Sequence, residues 1–440
     1  MGSKKKSVSA WVVTANMGLG HLRAAWALRH IAEEGIITVG YDKATSPKEA
    51  KQWKQLQGGY EFLSRLRMIP LIGKFLFKIL DSILYIPPLY PMRDLSHPSM
   101  QVHIIQRFIR GGLCRGMLEH IATKPLPLVT PFYAPALAAD MKNVSRPYCI
   151  ICDADANRAW VAADPKQSRI VYFAPCGMAL RRLKEYGVPD ERIYLTGFPL
   201  PTELLGDENL SILKNDLSLR LRMLDPYHRF WPLHGKNVAH FLGVHAENKK
   251  PKRVLTVTFA VGGAGAQAET GAAVARSLAK RLHAGEIALN LVAGVRVDVN
   301  AYFMQVMKEL GNPPHLHIVF SKTHEGYFTA FNAALRTTDI LWTKPSELSF
   351  YSALGLPMLL TEPIGSHEEY NRRWLFEIQA GLDQYDPRYT SEWLFDLLAQ
   401  GRLAEASWAG FLKARKCGTY KIIEVLRTGD MRREYSPLKR

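Results

Sequence analysis

Short apolar runs alternate with longer helical stretches along most of the chain, and this alternation restricts the possible folds more than any other feature. The first half has short runs of strand character at 10–14, 126–130, 148–152 and 169–173. The second half has runs of the same character at 253–260, 287–292, 317–320 and 339–342. Strands separated by helices form parallel sheets that are covered on both faces. The pattern therefore predicts an α/β protein with two doubly wound halves.

The length of 440 residues also favours two domains, since one hydrophobic core rarely grows to this size. We predict an N-terminal domain over 1–200 and a C-terminal domain over 253–440. Residues 201–252 lack the alternation and are rich in His, Asn and Pro, with one helical stretch. We interpret them as an insertion and linker.

A glycine-rich turn follows the first predicted strand. Gly18 and Gly20 let the backbone turn tightly and present N–H groups at the start of the next helix, where anions are stabilised. His21 lies at the mouth of this turn, and histidine is the side chain most easily poised as a base near neutral pH. The alternative is a simple strand-to-helix turn with an incidental histidine.

A second glycine-rich turn follows the strand at 253–260. It comprises Gly262, Gly263, Ala264, Gly265 and Ala266. Such a backbone can approach a phosphate closely, and the following helix start favours negative charge. No Gly-Lys-Ser/Thr follows, and the G-x-G-x-x-G spacing is missing, so neither a P-loop nor a dinucleotide fingerprint is present. A glycine-rich turn without a ligand is the alternative.

The net charge of +17 predicts an anionic partner. Residues 51–124 hold eleven Lys or Arg against four Asp or Glu, and 62–89 is the most apolar stretch of the chain. An apolar helix with cationic edges suits the interface of an anionic membrane, so 62–91 is predicted to face a membrane. The residues expected there are Arg65, Arg67, Lys74, Phe75, Leu76 and Lys78. A helix of the N-terminal core is the alternative.

Several other classes of protein are disfavoured by the sequence. No apolar run is long enough to cross a bilayer, and no apolar signal segment follows the basic start. The odd number of five cysteines favours reduced thiols in the cytoplasm. No metal-ligand spacing is evident, and no recognition motif for nucleic acid accompanies the charge. We therefore predict a cytoplasmic protein, peripheral on the inner face of the cell membrane, without a metal or a nucleic-acid partner.

The order of motifs resembles that of a group of two-domain glycosyltransferases. The group includes plant galactolipid (monogalactosyldiacylglycerol) synthase, the bacterial diacylglycerol glucosyltransferases and the cell-wall lipid N-acetylglucosaminyltransferase. Residues 18–28 are similar to the family opening G-x-G-H-x-x-A-A-x-A-L, and 152–161 to its T-D-x-x-x-H-x-x-W segment. Residues 181–199 resemble the K-x-x-G-(x)n-I-x-x-T-G-I-P element. In the second half, 262–267 resembles the donor diphosphate loop and 339–357 the nucleotide-sugar segment that ends in G-L-P.

This resemblance implies a GT-B fold, in which two Rossmann-like domains with parallel sheets face each other across a cleft. It implies an inverting transfer from a nucleotide-sugar, most simply a UDP-sugar, to a membrane lipid, with no other cofactor. His21 would be the catalytic base, with Asp153 beside it, and Gly18, Gly20 and Asn157 would line the acceptor loop. The second glycine turn and Arg296 would bind the diphosphate. The nucleotide and sugar contacts would be Phe320, Lys344, Ser346, Glu347, Glu368 and Glu369.

Two departures from the family pattern leave alternatives open. Asn157 stands where the lipid enzymes have histidine, and the usual ribose-binding glutamate position is Phe350, so that Glu347 would have to take that role after a rearrangement. Glu347 as part of a helix cap after Ser346, Asp153 as the cap of a turn, and Arg296 as an exposed loop residue are the plainer interpretations. A UDP-sugar epimerase-like enzyme and a non-catalytic membrane-surface protein of the same build are the alternative functions.

Overall fold

The protein is described here from a computed structural model that covers residues 8–66, 86–243, 253–263, 265, 267–363 and 365–440. Within these residues the strands form two separate sheets of six strands each, and every pairing is parallel. The prediction of two doubly wound α/β halves is therefore confirmed.

The first sheet has the strand order β2-β1-β3-β4-β5-β6. Its strands are β1 Trp11–Ala15, β2 Ile37–Val39, β3 Leu128–Thr130, β4 Pro147–Ile150, β5 Val171–Ala174 and β6 Ile193–Leu195. The helices of this half are α1 Leu19–Ala27, α2 Pro47–Leu66, α3 Met100–Arg110, α4 Arg115–Ile121, α5 Tyr133–Lys142 and α6 Gly177–Glu185. Short 3-10 helices lie at Arg29–Ile31, Arg158–Trp160 and Asp190–Arg192.

The second sheet has the order β12-β11-β10-β7-β8-β9. Its strands are β7 Leu255–Ala260, β8 Ile287–Gly294, β9 Leu316–Phe320, β10 Ile340–Thr343, β11 Met358–Leu360 and β12 Gly381–Asp383. Helices α10 Ala268–His283, α11 Val297–Glu309, α12 His324–Leu335, α13 Ser366–Glu377, α14 Thr390–Ala399 and α15 Arg402–Lys413 belong to this half. Two 3-10 helices, Glu347–Leu354 and Pro387–Tyr389, complete it.

The stretch between the halves, predicted as an irregular insertion, contains three helices. They are α7 Thr202–Leu205, α8 Ser211–Leu224 and α9 Trp231–Leu242. Arg220 of α8 is buried, and its guanidinium donates to the carbonyls of Thr338 at 2.8 Å and Leu354 at 2.7 Å. Burial lowers the pKa of Arg220 to about 10. These hydrogen bonds attach helix α8 to the second half, so it is not a free linker between the two halves.

The last helix, α16 Gly418–Thr428, returns to the first sheet. Its Ile422 and Val425 pack in one apolar cluster with Val12 of β1 and Val129 of β3. The hydroxyl of Tyr194 donates to the carbonyl of Gly429 at 2.8 Å, just past this helix. Residues 253–440, which were predicted as one C-terminal unit, therefore also supply a helix to the first half.

All five cysteines are free and buried. Cys149 and Cys152 have the C-x-x-C spacing, but Cys149 lies on β4 and both side chains are buried in the large apolar cluster that extends through both halves. Burial raises the pKa of both thiols, so neither is poised as a thiolate at neutral pH.

Candidate functional site

The first glycine turn connects β1 to α1 and presents His21 on the first turn of the helix. Gly18 is the N-cap of α1 and has a φ of 132°, a conformation that favours glycine. A side chain at Gly20 would start 3.2 Å from the Cβ of Glu347, which belongs to the second half. Glycine at this position therefore lets the backbone of the turn lie close to Glu347 of the opposite half.

The imidazole of His21 is held in a defined orientation. Its Nδ1–H donates to the carbonyl of Pro131 at 2.8 Å, which assigns the lone pair of the neutral ring to Nε2. The ring lies 5.0 Å from the ring of Phe132 and 6.1 Å from that of Trp160. Burial lowers the pKa of His21 below its ordinary value of 6.5, and the charge of Asp153 opposes this shift. The neutral ring is therefore the stable form at pH 7, with Nε2 able to accept a proton.

Asp153 is held from the opposite half by Asn371 of α13. The fully buried side chain of Asn371 donates from Nδ2 to Asp153 Oδ1 at 2.8 Å and accepts from the N–H of Ala154 at 2.7 Å. Nδ2 also approaches the carbonyl of Pro345 at 3.4 Å. Sequence reasoning missed Asn371, since an asparagine within a helix carries no sign of its partner.

A second tie across the halves joins Arg23 of α1 to Glu347. Arg23 Nε–H donates to Glu347 Oε1 at 3.0 Å, and its Nη2 donates to the hydroxyl of Tyr327. The guanidinium carbon also lies 4.5 Å from the ring centre of Phe331 and 5.4 Å from that of Phe328. Glu347 and Tyr327 raise the pKa of Arg23 against the effect of burial, so it stays charged. The sign of this role in the sequence is that Arg23 is a charged residue among the apolar Leu22, Ala24 and Ala25 of a predicted helix.

The second glycine turn, after β7, lies against the first one. Gly263 comes within 3.6 Å of Leu19, measured from the position a Cβ would occupy. A Cβ on Gly262 would lie 2.8 Å from Lys344 Cε, and one on Gly265 would lie 3.7 Å from Arg296 Nη2. Gly265 has a φ of 79°. The predicted Ala264 and Ala266 lie outside the described residues.

Charged groups predicted for donor binding surround this turn. Lys344 follows β10, and its Nζ donates to Oε1 of the buried Glu368. Arg296 is the N-cap residue of α11 and is paired with Asp298, with Nε and Nη2 at 2.9 and 2.6 Å from the carboxylate oxygens. The Arg296 pair lowers the pKa of Asp298 to about 2. The structure thus brings Lys344, Glu368 and Arg296 together around the second turn.

The other predicted site residues have more ordinary surroundings. Asn157 caps the 3-10 helix Arg158–Trp160, its Oδ1 accepting from the N–H of Ala159 at 3.1 Å. Ser346 is the N-cap residue of the 3-10 helix Glu347–Leu354 but makes no capping side-chain hydrogen bond. Glu369 is exposed and 3.5 Å from Arg372, and Phe320 ends the edge strand β9 half-buried.

The predicted membrane residues belong to a stretch that the structure describes only in small part. Arg67, Lys74, Phe75, Leu76 and Lys78 lie outside the described residues, and Arg65 lies in α2 with its side chain outside them. Among the helices that are described, none combines the length and the apolar character needed to cross a bilayer. The described residues also contain no cluster of three or more His, Cys, Asp or Glu suited to a metal ion.

These contacts establish how the two sheets meet. His21 and Asp153 follow β1 and β4, while the second glycine turn and Glu347 follow β7 and β10, so the carboxyl ends of both parallel sheets face one cleft. Arg23–Glu347 and Asn371–Asp153 cross that cleft. The fold is GT-B.

Comparisons with known proteins show similarity to one family model and to solved structures. Residues 312–423 match a family described as a domain of unknown function (DUF6938). None of the curated proteins matches the sequence. Among solved structures, UDP-GlcNAc 2-epimerase of Neisseria meningitidis bound to UDP-GlcNAc is similar, at 11% identity and a TM-score of 0.49, over 95% of this chain and 99% of that one. MurG of Acinetobacter baumannii is similar over the same shares, at 13% identity and a TM-score of 0.45.

Proposed function

We propose that the protein is an inverting glycosyltransferase that moves a sugar from a UDP-sugar to the hydroxyl of a membrane lipid. The observation that carries the proposal is the state of His21. Its ring is oriented by Pro131, and its Nε2 is an acceptor at neutral pH. It follows the first glycine turn, which meets the second glycine turn between the two halves. A general base of this kind is what an acceptor hydroxyl requires.

In the proposed reaction, His21 Nε2 takes the proton of the acceptor hydroxyl as its oxygen attacks the anomeric carbon. The new carbon–oxygen bond forms while the bond from that carbon to the diphosphate breaks, and UDP leaves with the electron pair. Base and leaving group would sit on opposite sides of the cleft, so the anomeric configuration is inverted. The proton remains on His21, and the nearby charge of Asp153 favours the imidazolium.

The donor would bind on the second half. Backbone N–H groups of the second glycine turn and of the start of α10 would donate hydrogen bonds to the diphosphate, as helix N-termini do to anions. Lys344 and Arg296 would supply positive charge, after release from Glu368 and Asp298. Glu347 would reach the ribose hydroxyls, and Glu368 or Glu369 the sugar.

The lipid acceptor and a place on the inner face of the cell membrane are supported by charge. The net charge of +17 and the eleven cations between 51 and 124 favour an anionic surface. Attraction of this kind weakens as salt rises.

The test begins with calorimetric titration of UDP into the wild-type protein and into Gly265→Val. Gly265 has a positive φ and lies beside Arg296, so valine should strain the turn and abolish UDP binding. Gly235→Val, at a half-buried position in α9 where a Cβ has only an ordinary contact with Trp231, is the matched control for a glycine replacement. UDP-glucose, UDP-galactose and UDP-GlcNAc are then incubated with vesicles of phosphatidylglycerol and diacylglycerol, and glycolipid is detected by mass spectrometry. Equal UDP affinity in wild type and Gly265→Val contradicts the donor assignment.

A second candidate, an epimerase-like reaction on the donor sugar, is favoured by one observation. Asp153, Glu347 and His367 all act electrostatically on His21, so acids and bases from both halves converge on one place. Such a set can remove and return protons on a bound sugar without any acceptor. Incubation of each UDP-sugar without vesicles, followed by NMR of the sugar protons, separates the two candidates. A new UDP-sugar isomer supports the epimerase, whereas glycolipid formation supports the transferase. UDP binding with neither product supports a non-catalytic protein.

A further inference from the structure

A cavity of about 670 Å³ lies beside the edge strand β2, next to the catalytic cleft. Asn16 and Leu22, which bracket the first glycine turn and His21 in sequence, both line it. His324, the first residue of α12, lines it from the second half. Its volume is in the range of small-molecule sites, about 300–1,000 Å³.

Three half-buried polar side chains in this cavity have no hydrogen-bond partner among the described residues. They are the amide of Asn16, the hydroxyl of Thr38 and the imidazole of His324. Burial lowers the pKa of His324, so its ring is neutral at pH 7 and offers one donor and one acceptor. These side chains are partly exposed, so water can bind them, and a polar ligand in the cavity would take the place of that water.

The acidic groups of the cavity are already engaged. Glu34 pairs with His120 at 3.2 Å, and Asp42 accepts from the N–H of Ala44 and the hydroxyl of Thr45 at 2.9 and 2.7 Å. Lys43 is exposed and has no acidic partner in the described part of the chain. The groups left to bind a ligand are therefore neutral hydrogen-bonding groups and one cation.

The apolar part of the lining comes from Leu22 and from Ile36 and Ile37 at the start of β2. An apolar wall beside neutral donors and acceptors suits a molecule with a hydroxyl-bearing head joined to hydrocarbon. None of the residues around the second glycine turn lines this cavity, so it is separate from the donor side of the cleft.

We infer that this cavity binds the hydroxyl-bearing head of an amphiphilic acceptor, with Asn16, Thr38 and His324 as the residues that select hydroxyl groups. The inference rests on the proposed function and adds an acceptor subsite to it. The attacking hydroxyl would lie at His21, and the remainder of the head would extend past Asn16 into the cavity.

Protection of an engineered thiol tests the inference without requiring turnover. All five native cysteines are buried, so Ala44→Cys, at an exposed position of the lining, adds one reactive thiol. Labelling by a maleimide dye is followed with octyl β-glucoside and with 1-octanoylglycerol, both below their micelle concentrations. At about ten times the dissociation constant, labelling should slow about tenfold. Gln400→Cys, exposed after α14, should label at an unchanged rate.

Methyl β-glucoside and glycerol, which lack the octyl chain, show in the same assay whether the cavity binds the hydroxyl-bearing head alone or requires the hydrocarbon as well. Protection by the octyl compounds alone supports an amphiphilic ligand, and protection by methyl β-glucoside or glycerol at equal concentration overturns the amphiphilic part of the inference. Adding Thr38→Val to Ala44→Cys removes one hydroxyl at constant shape and should weaken protection about three- to tenfold. Thr337→Val, at an exposed turn of the second half, is the matched control.

Failure of the inference can be told apart from failure of the proposed function. No protection by any of the four compounds, or protection that Thr38→Val leaves unchanged, overturns the subsite even if UDP binds and sugar is transferred. If the octyl compounds protect the thiol but the protein binds no UDP, the cavity remains a site for a hydroxyl-bearing amphiphile. In that case the missing UDP binding contradicts the donor assignment.

Discussion

Arg23→Met removes the cation that joins the two halves and keeps an unbranched side chain of similar length. The side chains of Arg23 and Glu347 are only 3% and 11% exposed, so methionine leaves a carboxylate without its partner in a place that water hardly reaches. Breaking a buried pair by removing one partner costs about 3–5 kcal/mol. Because Glu347 retains some exposure, the lower end, about 3 kcal/mol, is expected from the pair. Loss of the ring contacts adds about 1 kcal/mol.

The expected loss of about 4 kcal/mol is a large fraction of the 5–15 kcal/mol that folded proteins usually have. Urea unfolding followed by tryptophan fluorescence measures it. Glu347→Gln and the double variant Arg23→Met/Glu347→Gln complete a double-mutant cycle, in which the double variant should be more stable than Arg23→Met alone because no buried charge is left unpaired.

Arg115→Met is the matched control for this experiment. Arg115 and Glu119 form a pair at 2.8 Å whose side chains are largely exposed, so its loss should have no resolvable effect. Equal unfolding midpoints for Arg23→Met and Arg115→Met would refute the reasoning, since burial is the only physical difference invoked between the two pairs.

Four further predictions concern His21, Asn371 and the predicted membrane residues. His21→Ala should lower turnover by about 10²–10⁴-fold in the transfer assay and leave UDP affinity unchanged in calorimetry. Because burial lowers the pKa of His21, the neutral base is lost only below pH 6.5, so kcat/KM should be flat above that pH and fall below it. The free energy of unfolding should also fall below pH 6.5, since the histidine of the unfolded chain binds its proton at a higher pH than His21 of the folded protein. Asn371→Leu should destabilise the protein by about 1–3 kcal/mol in thermal unfolding, because the N–H of Ala154 loses its acceptor, whereas Asn215→Leu, at an exposed position on α8, should have a smaller effect. Replacing the four predicted membrane cations by Gln should release the protein from phosphatidylglycerol vesicles in a sedimentation assay, each cation contributing about 1 kcal/mol, and unchanged binding would contradict the membrane prediction.

The central strands and the edge strand β9 could be predicted from the sequence, whereas the short edge strands β2 and β12 could not. β7 and β8 are continuous apolar runs because both faces of each are covered, and their predicted bounds agree with the structure within two residues. β2 and β12 have three residues each and lie at sheet edges, so neither carries a run long enough to stand out from its surroundings. The helices between 201 and 243 were missed in part because their apolar residues pack against the second half, which local periodicity does not record.

The sequence by itself determined the two glycine turns, their place after β1 and β7, and the position of His21 on the first turn of α1. These are local properties, because a glycine turn and the helix after it are decided by backbone freedom within a few residues. Only the tertiary structure decided that Arg23 meets Glu347, that Asn371 holds Asp153, and that Thr38 shares a cavity with His324. Arg23 and Glu347 are 324 positions apart, and charges at that separation become partners only after two sheets have buried them in the same cleft, where an unpaired charge would be too costly to keep.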